Sequence, residues 1–547
     1  MLNYFKKLFP KEYLLFFIAI GIVAFVLFYN FKLYDYLVPP GHDCLRHMTV
    51  AYNIAHTGFT DTLNSLSFEG ALNDVPVFHI LLANLSLICG ISVVTATQYT
   101  VRLIIIFILA NIFFITRRLF SKEAAVLAVI MLAFFVPSMY IIYNEGTYLD
   151  LFSAGYLLPM AIYFLHEFFQ ASKFSLRYLI LSIIFLSAVI LTHPLSTIGL
   201  GFILFVLHIF LFANSISQKK YALFKRILLI DLILIIDVAL AWNYYFSALA
   251  FKFVNLFQLI FASSFNVQSA SQSLNYLPPS LGLSDVPGWH NYVEFIPLFC
   301  LVCALIGLIV LWRNKNNSTI SKFIITSWVS GLFIASQLAF TQLPIRFARH
   351  LYLPAVIIAG IGLYAFIKLI KPHRYIYNIG TSLLVLFLIF NMHGFVKTVN
   401  NYNDMVRLQE PDRQAIAWLQ KNTPQDTIML GTPKVANAEW GSFITLLTNR
   451  QMIGCEDDGI IEKDDLSCSS IFDPNSEEVK KFITRNNISY IYGGKPFIGP
   501  FLWKNYINWS YYKVLEEVNW LEKVYDYRDS SGRVVIYKIN KEKLINI

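Results

Sequence analysis

Residues 76–95, PVFHILLANLSLICGISVVT, decide how this chain is organised. The stretch is apolar and near the roughly 20 residues that cross a bilayer core, so it reads either as a spanning helix or as one lying on the surface. Outward from it, apolar blocks recur at about 13–29, 100–118, 122–142, 150–169, 177–193, 195–213, 226–246, 294–312, 321–341, 348–369 and 375–396. Charge chooses between eleven and twelve crossings. With 76–95 laid on the surface, one side collects Lys6, Lys7, Lys11, Arg117, Arg118, Lys122, Lys173, Arg177, Lys219, Lys220, Lys225, Arg226, Arg313, Lys315, Lys322, Lys368, Lys371 and Arg374. The other side keeps only Lys32, Arg46, Lys252, Arg346 and Arg349, as the positive-inside rule requires. Counting 76–95 as a span puts Arg117 and Arg118 on the wrong side.

The sequence therefore predicts an α-helical multi-pass membrane protein of about eleven transmembrane helices, expected in the plasma membrane with its amino terminus in the cytoplasm. Composition agrees: of 547 residues 56% are hydrophobic and 14% charged, which excludes a soluble enzyme of this length. The net charge of +9 is cytoplasmic anchoring and gives no reason to expect nucleic acid. The start, a basic segment and a long apolar run, has no small-residue cleavage site and reads as a retained first helix.

Three outer loops follow, at about 30–99, 143–150 and 249–292. The tail after residue 397 falls on the same side and changes character. Residues 412–420 have apolar positions at helical spacing and stop at Asn422-Thr-Pro, and 427–431 reads as a strand. A second helix at Ser476 to Arg485 precedes strands at 488–494 and 533–539. The expected organisation is a membrane domain over 1–397 and a soluble extracytoplasmic α/β domain over 398–547. Of six cysteines, Cys300 and Cys303 sit in an apolar block with Cys44 and Cys89 elsewhere, while Cys455 and Cys468 are spaced for a bridge if their domain faces an oxidising compartment.

The densest polar cluster is residues 39–54, PPGHDCLRHMTVAYNI. Pro39, Pro40 and Gly41 break the chain, and Asp43 and His47 share a face of the helix that follows. Asp43 reads as an N-cap with His42 and His47 as interfacial polar groups, as a general base at the rim of a low-dielectric bundle, or as a divalent-metal ligand with His42 or His47. A divalent metal ion is the one cofactor these residues leave open.

In 341–354, TQLPIRFARHLYLP, Arg346 and Arg349 break the charge rule and lie three apart. They read as a clamp for an anion such as a lipid phosphate, or as a snorkelling or ion pair with an outer-loop acid. The second outer loop, YNEGTYLD (143–150), groups Tyr143, Asn144, Glu145 and Asp150; Glu145 is a substrate-orienting carboxylate or an exposed loop acid, and His193 before Pro194 is a site residue or a helix-end polar group. Asp231 and Asp237 lie in an apolar block, where carboxylates face the bundle interior. Trp242, Tyr244 and Tyr245 read as an aromatic belt. No Walker loop, GxSxG elbow, HExxH or Rossmann fingerprint occurs in a supporting context, so ATP should not drive the chain directly.

Taken in order, these features resemble the GT-C superfamily of polytopic glycosyltransferases, which use polyprenyl-phosphate-linked sugars. The likeness rests on Gly41-His42-Asp43 with His47, the surface helix Pro76 to Cys89, and the helix holding Arg102 and ending Arg117-Arg118. It continues in Glu145-Gly146, Arg346-Phe-Ala-Arg349 before Leu353-Pro354, the α/β tail, and the WLQKNTP stretch at 418–424. The first-loop acid is a lone Asp, unlike that of protein O-mannosyltransferases, and no WWDxG-like motif of oligosaccharyltransferases is present.

The resemblance implies sugar transfer from a polyprenyl-phosphate donor to a lipid, glycan or protein acceptor outside the cytoplasm, among membrane lipids. Asp43 would then be the base for inverting attack, with Arg346 or Arg349 on the leaving phosphate and His42, His47, Glu145 and His193 in support. Two other classes stay open on the residues alone. A transporter or flippase of lipid-linked or anionic substrates predicts paired polar residues at mid-membrane depth and inverted repeats. A non-catalytic assembly protein predicts that Asp43, Arg346 and Arg349 tolerate replacement.

Overall fold

The computed structural model describes residues 11–33, 39, 43–58, 77–219, 223–239, 286–315, 317–338, 344–373, isolated positions between 375 and 396, 410–431, 443–453, 460–461, 466–467, 474–493, 514–529 and 533–545. Among these residues the chain starts with α1 (Lys11–Leu33), α2 (Asp43–Thr57) and α3 (Val77–Cys89). Next come α4 (Val93–Leu119), α5 (Lys122–Phe134), α6 (Ser138–Glu145) and α7 (Tyr148–Gln170). Then follow α8 (Leu176–Ile190), α9 (Pro194–Ser217) and α10 (223–239). The set closes with α11 (Trp289–Phe295), α12 (Leu298–Arg313), α13 (Thr319–Gln337), α14 (Pro344–His350) and α15 (Tyr352–Ile370).

Local chemistry sets many of these bounds. Ser92, Ser121 and Ser318 cap α4, α5 and α13 by accepting the backbone N–H three residues on, at 3.1, 3.1 and 3.0 Å. Gly146, at φ +80°, ends α6 in the left-handed region that only glycine enters freely.

Five helices among the described residues are long and apolar enough to cross a membrane: α4, α7, α9, α13 and the run Pro344–Ile370. The count reaches seven if two bent pairs each make one crossing. This is an integral membrane protein by its apolar helices, and the described residues do not show the expected eleven spans. α8 is a shorter apolar helix, and the expected blocks at 226–246 and 375–396 run beyond the described residues. α3 has 13 residues, about 20 Å of helix against a core of about 30 Å.

The expected helix at 122–142 is α5 and α6 bent by 45°, and that at 294–312 is α11 and α12 bent by 94°. Pro137 and Pro297 sit at the breaks, each lacking the N–H that would continue the ladder. Elsewhere backbones meet closely: a Cβ on Gly307 would fall on the Ile358 carbonyl, and one on Gly362 on the Cys303 carbonyl. Only glycine lets α12 and α15 approach this far.

The tail folds around α16 (Glu410–Asn422), α17 (Phe443–Thr448) and α18 (Glu477–Arg485) with a five-stranded mixed sheet. Its strands are β1 (Ile428–Gly431), β2 (Gln451–Ile453), β5 (Tyr490–Gly493), β6 (Leu521–Arg528) and β7 (Arg533–Ile539), ordered β2-β1-β5-β7-β6. A separate hairpin pairs β3 (Ile460–Ile461) with β4 (Leu466–Ser467). β1 runs parallel to β2 and β5, whereas β7 is antiparallel to β5 and β6. The expected helices and strands of the tail are all found within two residues of their predicted ends. Cys455 and Cys468 lie outside the described residues.

The sheet-bearing tail touches the helix that opens with Asp43. α17 packs on α2 and α4, and the Tyr52 hydroxyl donates to Asn449 Oδ1 at 3.0 Å. Buried Arg450 stiffens this contact by donating to the Gln420 carbonyl at 3.2 Å and to the Thr423 hydroxyl at 3.0 Å.

Candidate active site

Glu145 ends α6 and Asp150 lies in the first turn of α7, on either side of the Gly146-Thr147 turn, and α14 delivers two arginines to them. Gly146 folds the chain back, and the Thr147 hydroxyl donates to the Ile142 carbonyl at 3.2 Å. Asp150 is 2% exposed and precedes a π-helical turn, Leu151–Leu157, a distortion frequent at functional sites.

Arg346 and Arg349 lie one turn apart on α14, so both reach the same side. Arg349 Nη1 is 2.5 Å from Glu145 Oε2, and its guanidinium stands over the Phe295 ring at 5.4 Å. Arg346 Nη1 is 3.3 Å from Asp150 Oδ2. The ion pair with loop acids, one of the two readings of the arginines, is thus realised.

Two imidazoles complete the cluster. His193 stands at the N-cap position of α9, set there by Pro194 at the first helical position, with Nδ1 3.1 Å from Asp150 Oδ1 and 3.2 Å from the Ser196 hydroxyl. His350 Nε2 is 3.5 Å from the same Asp150 oxygen. Even so, Asp150 Oδ1, His350 Nδ1 and Arg349 Nε have no aligned hydrogen bond among the described residues. Buried polar atoms left short of partners are expensive, so the cluster is held together with incomplete hydrogen bonding.

The first-loop helix closes one side. His47 Nδ1 lies 3.0 Å from His79 Nε2 on α3, a bond in which one ring donates and the other accepts. The His47 ring centroid is 6.3 Å from that of Tyr148, two residues before Asp150. Asp43 opens α2, but its side chain, like all of His42, lies outside the described residues.

Of the expected site residues the structure thus joins Glu145, His193, Arg346 and Arg349 in one cluster and brings His47 to its edge. It adds His350, which sequence reasoning did not single out, and gives a place to Asp150, which stood beside Glu145 in the second outer loop with no role assigned. Both stood in the quoted segments, but a lone acid in a loop and a His next to Arg349 carry no spacing signal. Asp231 and Asp237 are accounted for by neighbours: His208 Nε2 is 2.7 Å from Asp231, and the Ser187 hydroxyl donates to Asp237 at 2.7 Å. Trp242, Tyr244 and Tyr245 fall outside the described residues. No group of three or more His, Cys, Asp or Glu among the described residues is arranged to hold a metal ion.

Comparison with solved structures decides the fold. The chain matches an oligosaccharyltransferase from Archaeoglobus fulgidus, tethered to an acceptor peptide, with a TM-score of 0.58 at 14% identity over 90% of this chain and 70% of that one. It matches ArnT from Cupriavidus metallidurans, bound to undecaprenyl phosphate, with a TM-score of 0.57 at 11% identity over 96% and 97% of the two chains. The fold is that of the GT-C glycosyltransferases. The arabinofuranosyltransferase AftD from Mycobacteria shares the GT-C fold at a TM-score of 0.56 and 12% identity, over 96% of this chain and 41% of that one. No family model matches the sequence, and no curated protein matches it. The likeness is therefore one of GT-C architecture.

Proposed function

We propose that this chain is a membrane glycosyltransferase that moves a sugar from a polyprenyl-phosphate donor to a lipid, glycan or protein acceptor on the extracytoplasmic side. Residues 1–397 form its membrane domain, with the amino terminus in the cytoplasm, and 398–547 its extracytoplasmic α/β domain. The observation that carries the reading is the convergence of Arg346 and Arg349 with Glu145 and Asp150 in a GT-C fold. A GT-C neighbour bound to undecaprenyl phosphate supports a lipid phosphate as the ligand of such a site.

The chemistry follows from charge. A sugar linked to polyprenyl phosphate is a phosphodiester with one negative charge. As the acceptor oxygen or nitrogen attacks the anomeric carbon, the C–O bond to phosphate breaks and the leaving monoester gains a second. A guanidinium at that phosphate binds the transition state more strongly than the donor, which is what raises a rate. Asp43 takes the acceptor's proton, and attack opposite the leaving group inverts the anomeric centre. His42, His47, Glu145 and His193 support the polar surface on which donor and acceptor are oriented.

Purified full-length protein supplied with labelled polyprenyl-phosphate sugars tests the reading. Asp43→Asn should abolish transfer. Unchanged transfer by that variant removes Asp43 as base, and no transfer by the wild type with any donor removes the enzyme reading.

A further inference from the structure

Within the reading of Arg346 as a phosphate ligand, we infer that Asp150 is a positioning residue that holds the Arg346 guanidinium in register for the donor phosphate. Asp150 is too buried to meet a substrate, at 2% exposure, whereas the Arg346 side chain is 29% exposed. The carboxylate reaches Arg346 through one nitrogen only, Nη1 at 3.3 Å, so the rest of the planar fork is left for a second anion. His193 and His350 hold Asp150 from two other sides, at 3.1 and 3.5 Å. Three elements, α7, α9 and α14, thereby meet on one carboxylate, which fixes the guanidinium before any ligand arrives. An arginine on a short helix without such an anchor would sample many rotamers and bind a headgroup less well.

Binding of undecaprenyl phosphate to the full-length chain in lipid nanodiscs tests this apart from catalysis. Arg346→Gln should weaken binding about tenfold, Asp150→Asn about tenfold, and the double variant about tenfold in total, because both changes remove one device. Wild-type affinity in folded Asp150→Asn, or losses that multiply in the double variant, overturns the positioning role. If Asp150→Asn does not fold, Asp150→Glu takes its place. It keeps the charge but moves it by one methylene, and should cost severalfold in affinity, with wild-type affinity again counting against the role. Failure of the underlying reading looks different. Wild-type protein that does not bind undecaprenyl phosphate, or Arg346→Gln that binds it normally, removes the phosphate clamp itself and Asp150's role with it.

Discussion

Two buried carboxylates stand near opposite ends of α7, Asp150 and Glu167, about 25 Å apart along the helix. Each faces an arginine and a histidine, yet they are built differently. Glu167 receives Arg118 through two nitrogens, at 2.9 Å each, and His166 Nδ1 at 3.1 Å, while His166 Nε2 bonds the Ser321 hydroxyl at 2.9 Å. Both oxygens are satisfied, and the cluster clamps α4, α7 and α13 together. At the other end, Asp150 has one long contact to Arg346, and its second oxygen meets two imidazoles without an aligned hydrogen bond. The same residue types make a closed structural joint in one place and an open, electrically loaded surface in the other. Hydrogen-bond completeness separates the two.

Four experiments test that contrast. The largest effect is expected when Arg346 and Arg349 are both replaced by Gln: transfer per folded molecule should fall by more than about 1,000-fold, with Arg118→Gln leaving it within about twofold. Equal losses in the two variants would erase the distinction. Next, Glu167→Ala should lower stability by about 1–2 kcal/mol through the hydrogen bonds it leaves unmade, seen as an earlier melt, with turnover of the folded fraction retained. A third change sharpens the open end: Glu145→Gln removes the carboxylate that competes for Arg349 and should tighten undecaprenyl phosphate binding about threefold. Weaker binding would make Glu145 part of the phosphate site.

The smallest effect belongs to a surface pair in the tail. Arg533 donates to Asp526 at 2.8 Å and holds its carboxyl below the usual range. A carboxylate depressed in the folded state stabilises it above the unfolded value of about 3.9, and this is lost as pH falls through the folded value. Being partly exposed, the pair is worth under about 1 kcal/mol, so Arg533→Met should flatten the stability curve below about pH 4 only slightly. A large change there would show that this pair resembles the Glu167 joint.

Much of the tail was legible in the sequence because its signals are local. Helix 410–422 ends where Thr423-Pro424 forbids more, α18 starts at the Ser476 cap, and β5 and β7 are short β-rich runs. β6 was missed because LEKVYDYR, with Lys, Glu and Asp along it, reads as polar surface until β7 pairs with it. Among the site residues, Arg346 and Arg349 were visible because they violate a charge rule that applies along the whole chain. His350 violates nothing, and its neighbourhood to Asp150 exists only after α14 and α7 pack.

The sequence by itself determined that this chain lives in a membrane, that charge favours laying the 76–95 block on the surface, and that a mixed α/β segment follows the apolar blocks. Block length and capping chemistry act within about one helix length, and charge asymmetry is summed over loops in chain order, so all three can be read without the fold. Only the tertiary structure decided that Asp150 is where the cations meet, since Arg346 lies 196 residues away along the chain. The same holds for which arginine takes Glu145, and for the closeness of α12 and α15. Those facts depend on long-range packing, where a buried charge selects whichever partner the helices bring within reach, and no local pattern encodes that choice.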